Sequence, residues 1–264
     1  MIPVLVDFGF FKIYSFGLML ALAFFAATWL VTQELVRRRI EPSHAEGYPL
    51  AAMVGGLVGA RLYYLGEHWD KFLRNPLAAL FGGAGLTWYG GVVVGALAVL
   101  LLARRHRQPL GRVTDAFAPG LALAYAIGRI GCQLAGDGDY GIPSNLPWAM
   151  AYPNAIVPTN IAVHPTPIYE TLAMGLVTWI LWHLRTRSWA DHGRLFGLYL
   201  VLSGIERFLV EFVRTNQVVA LGLTAAQLIS VAAVATGWWM YAMRADPQPV
   251  QKKRHPTKRR GKAR

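Results

Sequence analysis

Arg207, Glu211 and Arg214 stand at i, i+4 and i+7 within one apolar stretch, which puts them on one face of a helix. Arg129 interrupts a second apolar stretch, inside Gly128-Arg129-Ile130-Gly131, and Arg61 interrupts a third. An arginine at the centre of a membrane helix costs about 2.5–3.5 kcal/mol on insertion scales, so each of these needs a reason to be there. Guanidinium forks match phosphate oxygens bidentately. If Arg129 and Arg207 face a common cavity with only Glu211 between them, positive charge is in excess. An anionic ligand is then implied, and lipid phosphate is the nearest abundant one.

Other polar groups open apolar stretches at the same depth: Tyr89, His164, Tyr169 and Glu170. Each has a bland alternative. Arg207 and Glu211 would serve as a buried ion pair that only locks helices together. Arg61 would pair with a carboxylate or snorkel, His164 before Pro165 would cap a helix, and Tyr89 would be an interfacial aromatic. Convergence favours a site, because scattered structural pairs have no need to share one level on one side. The single cysteine, Cys132, reads as a small buried residue rather than a reactive thiol, and it excludes an internal disulfide.

The elements that must position these groups are membrane spans. Of 264 residues, 55% are hydrophobic and 15% charged, and mean hydropathy is +0.36; soluble domains run nearer 45–50% and about 25%. The pattern predicts an all-α polytopic membrane protein of about seven transmembrane helices. They fall at 13–36, 48–65, 86–103, 113–135, 166–184, 195–213 and 221–243. Arg37 to Arg39 follow the first span, so it reads as a retained helix rather than a cleaved signal. Further arginines follow the third span (Arg104, Arg105, Arg107, Arg112) and the fifth (Arg185, Arg187, Arg194), whereas 136–164 has no Lys or Arg. The positive-inside rule therefore places the N-terminus outside and the C-terminus inside.

Residues 1–243 read as one membrane domain, with 136–164, rich in proline and polar groups, as a small external cap. Nine basic residues crowd the last 21 positions. Residues 244–264 read as a disordered cytoplasmic tail drawn to anionic headgroups rather than to nucleic acid. Gly55, Gly56 and Gly59, with Gly90, Gly91 and Gly95, suit close helix packing. The inner halves of the spans read as nearly all apolar, which counts against a transport path. No metal is expected, since His164 and Glu170 lack the two-histidine helical spacing of zincins, and no cofactor is implied.

The run Gly128-Arg129-Ile130-Gly131-Cys132-Gln133-Leu134-Ala135-Gly136 resembles the signature of bacterial prolipoprotein diacylglyceryl transferases. Four other stretches resemble the same family in the same order: Phe16-Gly17-Leu18-Met19; Tyr89-Gly90-Gly91; His164-Pro165-Thr166-Pro167-Ile168-Tyr169-Glu170; and Arg207-Phe208-Leu209-Val210-Glu211-Phe212-Val213-Arg214. The resemblance implies transfer of a diacylglyceryl group from phosphatidylglycerol to the lipobox cysteine of a preprolipoprotein at the outer face of the inner membrane. Glycerol phosphate would leave. Implied partners are phosphatidylglycerol, the preprolipoprotein signal peptide and membrane lipids.

By the same resemblance Arg129, Arg207, Glu211 and Tyr89 are expected in catalysis. Arg129, Arg207, Arg61, Asp137, His164, Tyr169 and Glu170 are expected in substrate binding. The chain departs from the family's pattern where histidine is typical at Tyr89, asparagine at Cys132 and tyrosine at Phe16. The family's Asn-Gly-Glu stretch is here Ala135-Gly136-Asp137-Gly138-Asp139, with one extra residue, so Asp137 or Asp139 replaces the glutamate. Two other readings stay open: a related transferase with another acceptor, and a non-catalytic lipid-binding or transport membrane protein.

Overall fold

A computed structural model describes residues 1–81 and 87–243. The basic tail and Leu86, the expected start of the third span, lie outside the described residues. The chain opens with a hairpin, β1 (Val4–Asp7) and β2 (Lys12–Tyr14), that runs directly into α1 (Ser15–Arg37). Then come α2 (Pro42–Ala45), α3 (Gly47–Glu67), α4 (Trp69–Arg74), α5 (Pro76–Phe81), α6 (Trp88–Arg105) and α7 (Leu110–Ala135). A second hairpin, β3 (Met150–Tyr152) and β4 (Thr159–Val163), lies within the expected cap and leads to α8 (Thr166–Leu184). After α9 (Arg194–Val210), a 3-10 turn (Glu211–Val213) and a hairpin of β5 (Val218–Ala220) and β6 (Leu223–Thr224) precede α10 (Ala225–Met243).

Each expected span coincides with a long helix: α1, α3, α6, α7, α8, α9 and α10. By length and composition, α1 is the one described helix both long and apolar enough to cross a membrane. The long elements are all helical, as expected, and three short antiparallel two-stranded sheets accompany them. Their strands hold two to five residues, too few to show a period-two pattern.

Large apolar side chains stay exposed along the helices, among them Phe25, Trp29, Leu172, Trp179 and Trp238. Apolar surface on this scale requires an apolar environment. Inward, helices approach through glycine. A Cβ on Gly59 of α3 would collide with the Gly90 carbonyl and Val94 of α6, so only hydrogen at this seam lets the two backbones touch. One buried cluster joins α1, α3, α6 and α7 around Leu35, Tyr48, Ala103 and Val113. A second joins α7, α8 and α9 around Ala122, Met174, Leu181 and Leu195.

The expectation of apolar inner halves is overturned at the end where α1 stops and α9 begins. Glu34, Arg38 and Asp115 are buried there. Glu34 pairs with Arg37 at 2.6 Å and accepts from Arg185 Nε at 3.0 Å. Arg38 reaches Asp191 at 3.0 Å and donates to the Ala190 carbonyl at 3.0 Å. Asp115 accepts the backbone N–H groups of Gly193 (2.7 Å) and Phe196 (2.9 Å), capping α9 from another helix. The first N–H groups of a helix have no partner within it, and here a carboxylate supplies one. Arg38, just after α1, folds back inward rather than trailing into a loop, which a linear charge count does not reveal.

Asp115→Ala leaves those N–H groups without their acceptor and takes from Arg38 a carboxylate 3.5 Å away, one of its partners. Thermal unfolding in detergent should show a loss of about 3 kcal/mol, and Asp115→Asn, which keeps an acceptor oxygen, should lose less. Equal stability of Asp115→Ala and wild type would refute the capping role.

Candidate functional site

The last three turns of α7 carry Tyr125, Arg129 and Cys132, and Arg129 is the hub. Its Nε lies 2.9 Å from Glu170 Oε2. Its Nη1 contacts Asp139, and its Nη2 donates to the Tyr125 hydroxyl at 3.2 Å. That hydroxyl donates in turn to Glu170 Oε1 at 3.0 Å. Glu170, one turn into α8, is fully buried and is the meeting point of three arginines. Arg207 of α9 comes within 3.7 Å of Oε1, and Arg214, just past the 3-10 turn, within 3.6 Å of Oε2.

Glu211 is the second buried acceptor. Its Oε2 pairs with Arg207 at 2.8 Å and lies 3.7 Å from Arg214. Its Oε1 accepts from Asn216 (2.8 Å) and from Thr224 Oγ1 at the start of α10 (2.7 Å). Three long helices, the 3-10 turn with the residue that follows it, and one loop therefore deliver charge to one point. Glu206 adds a buried carboxylate oxygen that lacks a hydrogen-bond partner.

The loop contribution comes through Asp139. Gly136 ends α7 in the left-handed region, φ +65°, a conformation that favours glycine at helix C-termini. Gly138 follows at φ +95°. These two bends bring Asp139, rather than Asp137, to the arginines: its Oδ1 pairs with Arg214 at 2.5 Å. Its carbonyl accepts from Thr166 Oγ1 and from Arg214. Burial tends to raise the Asp139 pKa, but the guanidiniums of Arg129 and Arg214 outweigh it and hold the carboxyl below its ordinary value. The loop is stitched down by Gly141 N–H to the His164 carbonyl (2.9 Å) and Ile142 N–H to the Val213 carbonyl (2.8 Å).

The expected excess of positive charge is not what the geometry holds. Arg129, Arg207 and Arg214 are matched by Asp139, Glu170 and Glu211, because Glu211 is not the only carboxylate between the arginines: Glu170 and the loop's Asp139 join it. What survives is convergence, with Arg129 and Arg207 meeting on one carboxylate.

A family model described as prolipoprotein diacylglyceryl transferase matches residues 3–243. The chain belongs to the prolipoprotein diacylglyceryl transferase family. Its relatives include a protein of Clostridium tetani named phosphatidylglycerol--prolipoprotein diacylglyceryl transferase, 32% identical over 242 residues, which cover 90% of this chain and 96% of that one. Proteins of the same name from Trichormus variabilis (31% over 262 residues, 94% and 92% covered) and Leptospira interrogans (31% over 235 residues, 78% and 72% covered) are similar. This is a family of bacterial membrane enzymes.

Not every residue expected from the transferase resemblance reaches the arginine cluster. His164 and Tyr169 face the opposite side of the start of α8. The Tyr169 hydroxyl accepts from Trp148 Nε1 at 2.8 Å and lies 3.2 Å from His164 Nδ1. Tyr169 borders two apolar grooves of about 590 and 460 Å3, the first lined by Met150, Ile168 and Leu172, the second by Leu146, Leu209 and Val213, and His164 borders the second. Adjacent helical positions differ by about a hundred degrees, so Tyr169 cannot share the direction of Glu170.

Tyr89 and Arg61 belong to the α3–α6 pair. Tyr89 is 45% exposed with its ring 6.4 Å from that of Tyr63. Arg61 donates to the Leu80 carbonyl at 3.0 Å and lies over the Tyr64 ring. Asp137 accepts the Asp139 backbone N–H at 3.3 Å, and the possible ligand atoms of Cys132, Asp137 and Asp139 lie within 4.8 Å of one another. With two guanidiniums on Asp139, that corner is a poor cation site. The sequence reading missed Tyr125, Asn216 and Thr224; it placed Arg214 on the face of Arg207 and Glu211 without a role, and left the choice between Asp137 and Asp139 open. Tyr125 had a signal, since it precedes Arg129 by one helical turn.

Proposed function

We propose that this chain transfers a diacylglyceryl group from phosphatidylglycerol to the lipobox cysteine of preprolipoproteins. It would do so as a multi-pass protein of the bacterial inner membrane, N-terminus outside and C-terminus inside, with the site facing outward and 136–164 as its external cap. The observation that carries this reading is the convergence of Arg129 and Arg207 on Glu170. In the reaction a sulfur–carbon bond forms to the glyceryl carbon and the carbon–oxygen bond to phosphate breaks. The electron pair leaves on the phosphate oxygen, and the thiol proton goes to a base or to the released glycerol phosphate. Preorganised guanidiniums stabilise the developing charge in a water-poor site, which is commonly worth a hundredfold to a thousandfold per donor. The apolar grooves beside Tyr169 suit acyl chains or the apolar stretch of a signal peptide.

Tyr89 stands half exposed on the α3–α6 pair, and tyrosine is a weaker base than histidine near neutral pH. A hydrogen-bonding role fits it better than proton abstraction. Wild-type chain should rescue a bacterial strain depleted of its own transferase, and Tyr89→Phe should transfer within about tenfold of wild type. Loss of about 10²–10⁴, the size of a general-base contribution, would instead make Tyr89 the base. Stable insertion without rescue by the wild type would leave the other-acceptor and non-catalytic readings.

A further inference from the structure

Asp139 gives one carboxylate oxygen to each of two arginines: Oδ2 to Arg129 and Oδ1 to Arg214. Glu170 and Glu211, the other carboxylates paired with these arginines, have fully buried side chains on regular structure, whereas the Asp139 side chain is 35% exposed and stands on a loop. Two oxygens of one anion held between two guanidinium forks is how proteins hold phosphate. The cluster is also incompletely paired: Arg207 Nη1 and Arg214 Nε are buried without a hydrogen-bond partner, though both face Glu211, and so is one carboxylate oxygen each of Glu170, Glu206 and Glu211.

We propose that the space between Arg129 and Arg214 is the seat of a phosphate-ester oxyanion, and that Asp139 occupies it until that ligand arrives. This deepens the transferase reading and rests on it for the identity of the ligand as a lipid headgroup. Exchange needs little rearrangement. The Asp139 backbone is anchored through its carbonyl by Thr166 and Arg214, so the side chain alone turns outward to the water it already partly meets. One negative charge replaces another, and the buried arginines are never left unpaired, which avoids the penalty of a naked buried charge. The incoming ester brings more acceptor oxygens than a carboxylate and can reach the two orphaned donors. A headgroup carrying its own ammonium would bring a cation to three guanidiniums, so the seat favours a headgroup with net negative charge.

The test uses the full chain in detergent, with glycerol phosphate as probe and mixed micelles of phosphatidylglycerol or phosphatidylcholine as competitors. Asp139→Asn should bind glycerol phosphate about tenfold tighter, and Arg214→Gln at least tenfold more weakly. Unchanged or weaker binding by Asp139→Asn would make Asp139 a structural strap and overturn the proposal. Phosphatidylglycerol should displace the probe where phosphatidylcholine does not; equal displacement, or none, removes the lipid headgroup as the occupant. Should Asp139→Asn fail to fold, the wild-type structure with glycerol phosphate decides. The Asp139 carboxylate should then lie beyond ion-pair range, about 4 Å, of both arginines, and its persistence between them refutes the exchange. A separate transfer assay with a lipobox peptide distinguishes failure of the transferase reading from failure of the seat.

Discussion

Arg129→Ala is expected to reduce diacylglyceryl transfer by about a thousandfold, the upper range for removing one electrostatic donor. Its guanidinium bonds to Glu170, Asp139 and Tyr125 at once and so ties α7 to α8 and to the loop. The loss should appear in kcat as well as kcat/KM, because charge builds on the leaving group only in the transition state. Arg129→Lys should not restore activity. An ammonium presents a point charge and cannot serve three acceptors in the planar fork geometry. Initial rates with phosphatidylglycerol and a lipobox peptide, on protein with a normal unfolding curve, would decide it. Activity of Arg129→Ala within tenfold of wild type would remove Arg129 from the chemistry.

The largest effect on stability should come from Glu170→Ala. Three guanidiniums approach this one fully buried carboxylate, and two of them, on Arg129 and Arg207, sit on other helices. Removing the carboxylate leaves like charges facing one another without their common acceptor. Breaking a buried pair from one side costs about 3–5 kcal/mol, and Glu170→Ala should reach that range in thermal unfolding. Glu170→Gln keeps the shape and one acceptor and should fall between. An added phosphate ester should stabilise Glu170→Ala more than wild type, because it returns negative charge to the same place. Unfolding of Glu170→Ala at the wild-type temperature would show that the arginines do not depend on it.

What the sequence made legible was the set of long helices and the arginines that must meet. An arginine inside an apolar run is a local oddity, visible without any partner, and seven long apolar runs need only length and hydropathy. The partners were less visible for physical reasons. Asp139 reaches the arginines because Gly136 and Gly138 both turn through positive φ, which spacing alone does not encode. Glu170 and Tyr169 are neighbours in the chain and looked equivalent, yet helical rotation sends one inward and the other to the apolar grooves. Glu34 and Asp115 lie inside the ranges of expected spans, and their acceptor roles are invisible there because they depend on Arg185, Gly193 and Phe196, far along the chain. The short hairpins fell below any periodicity.

The network that closes the far end of the bundle sets an order on synthesis. Glu34 has Arg37 beside it from the start, but Arg185 follows 151 residues later, and the N–H that Asp115 caps on Gly193 lies 78 residues beyond it. A nascent chain therefore carries these acids through translation with part of their coordination missing. It completes the lock only once the segment between α8 and α9 has left the ribosome. Fragments ending before residue 194 would hold buried acids without their full complement of partners, a state that membrane quality-control proteases are suited to recognise.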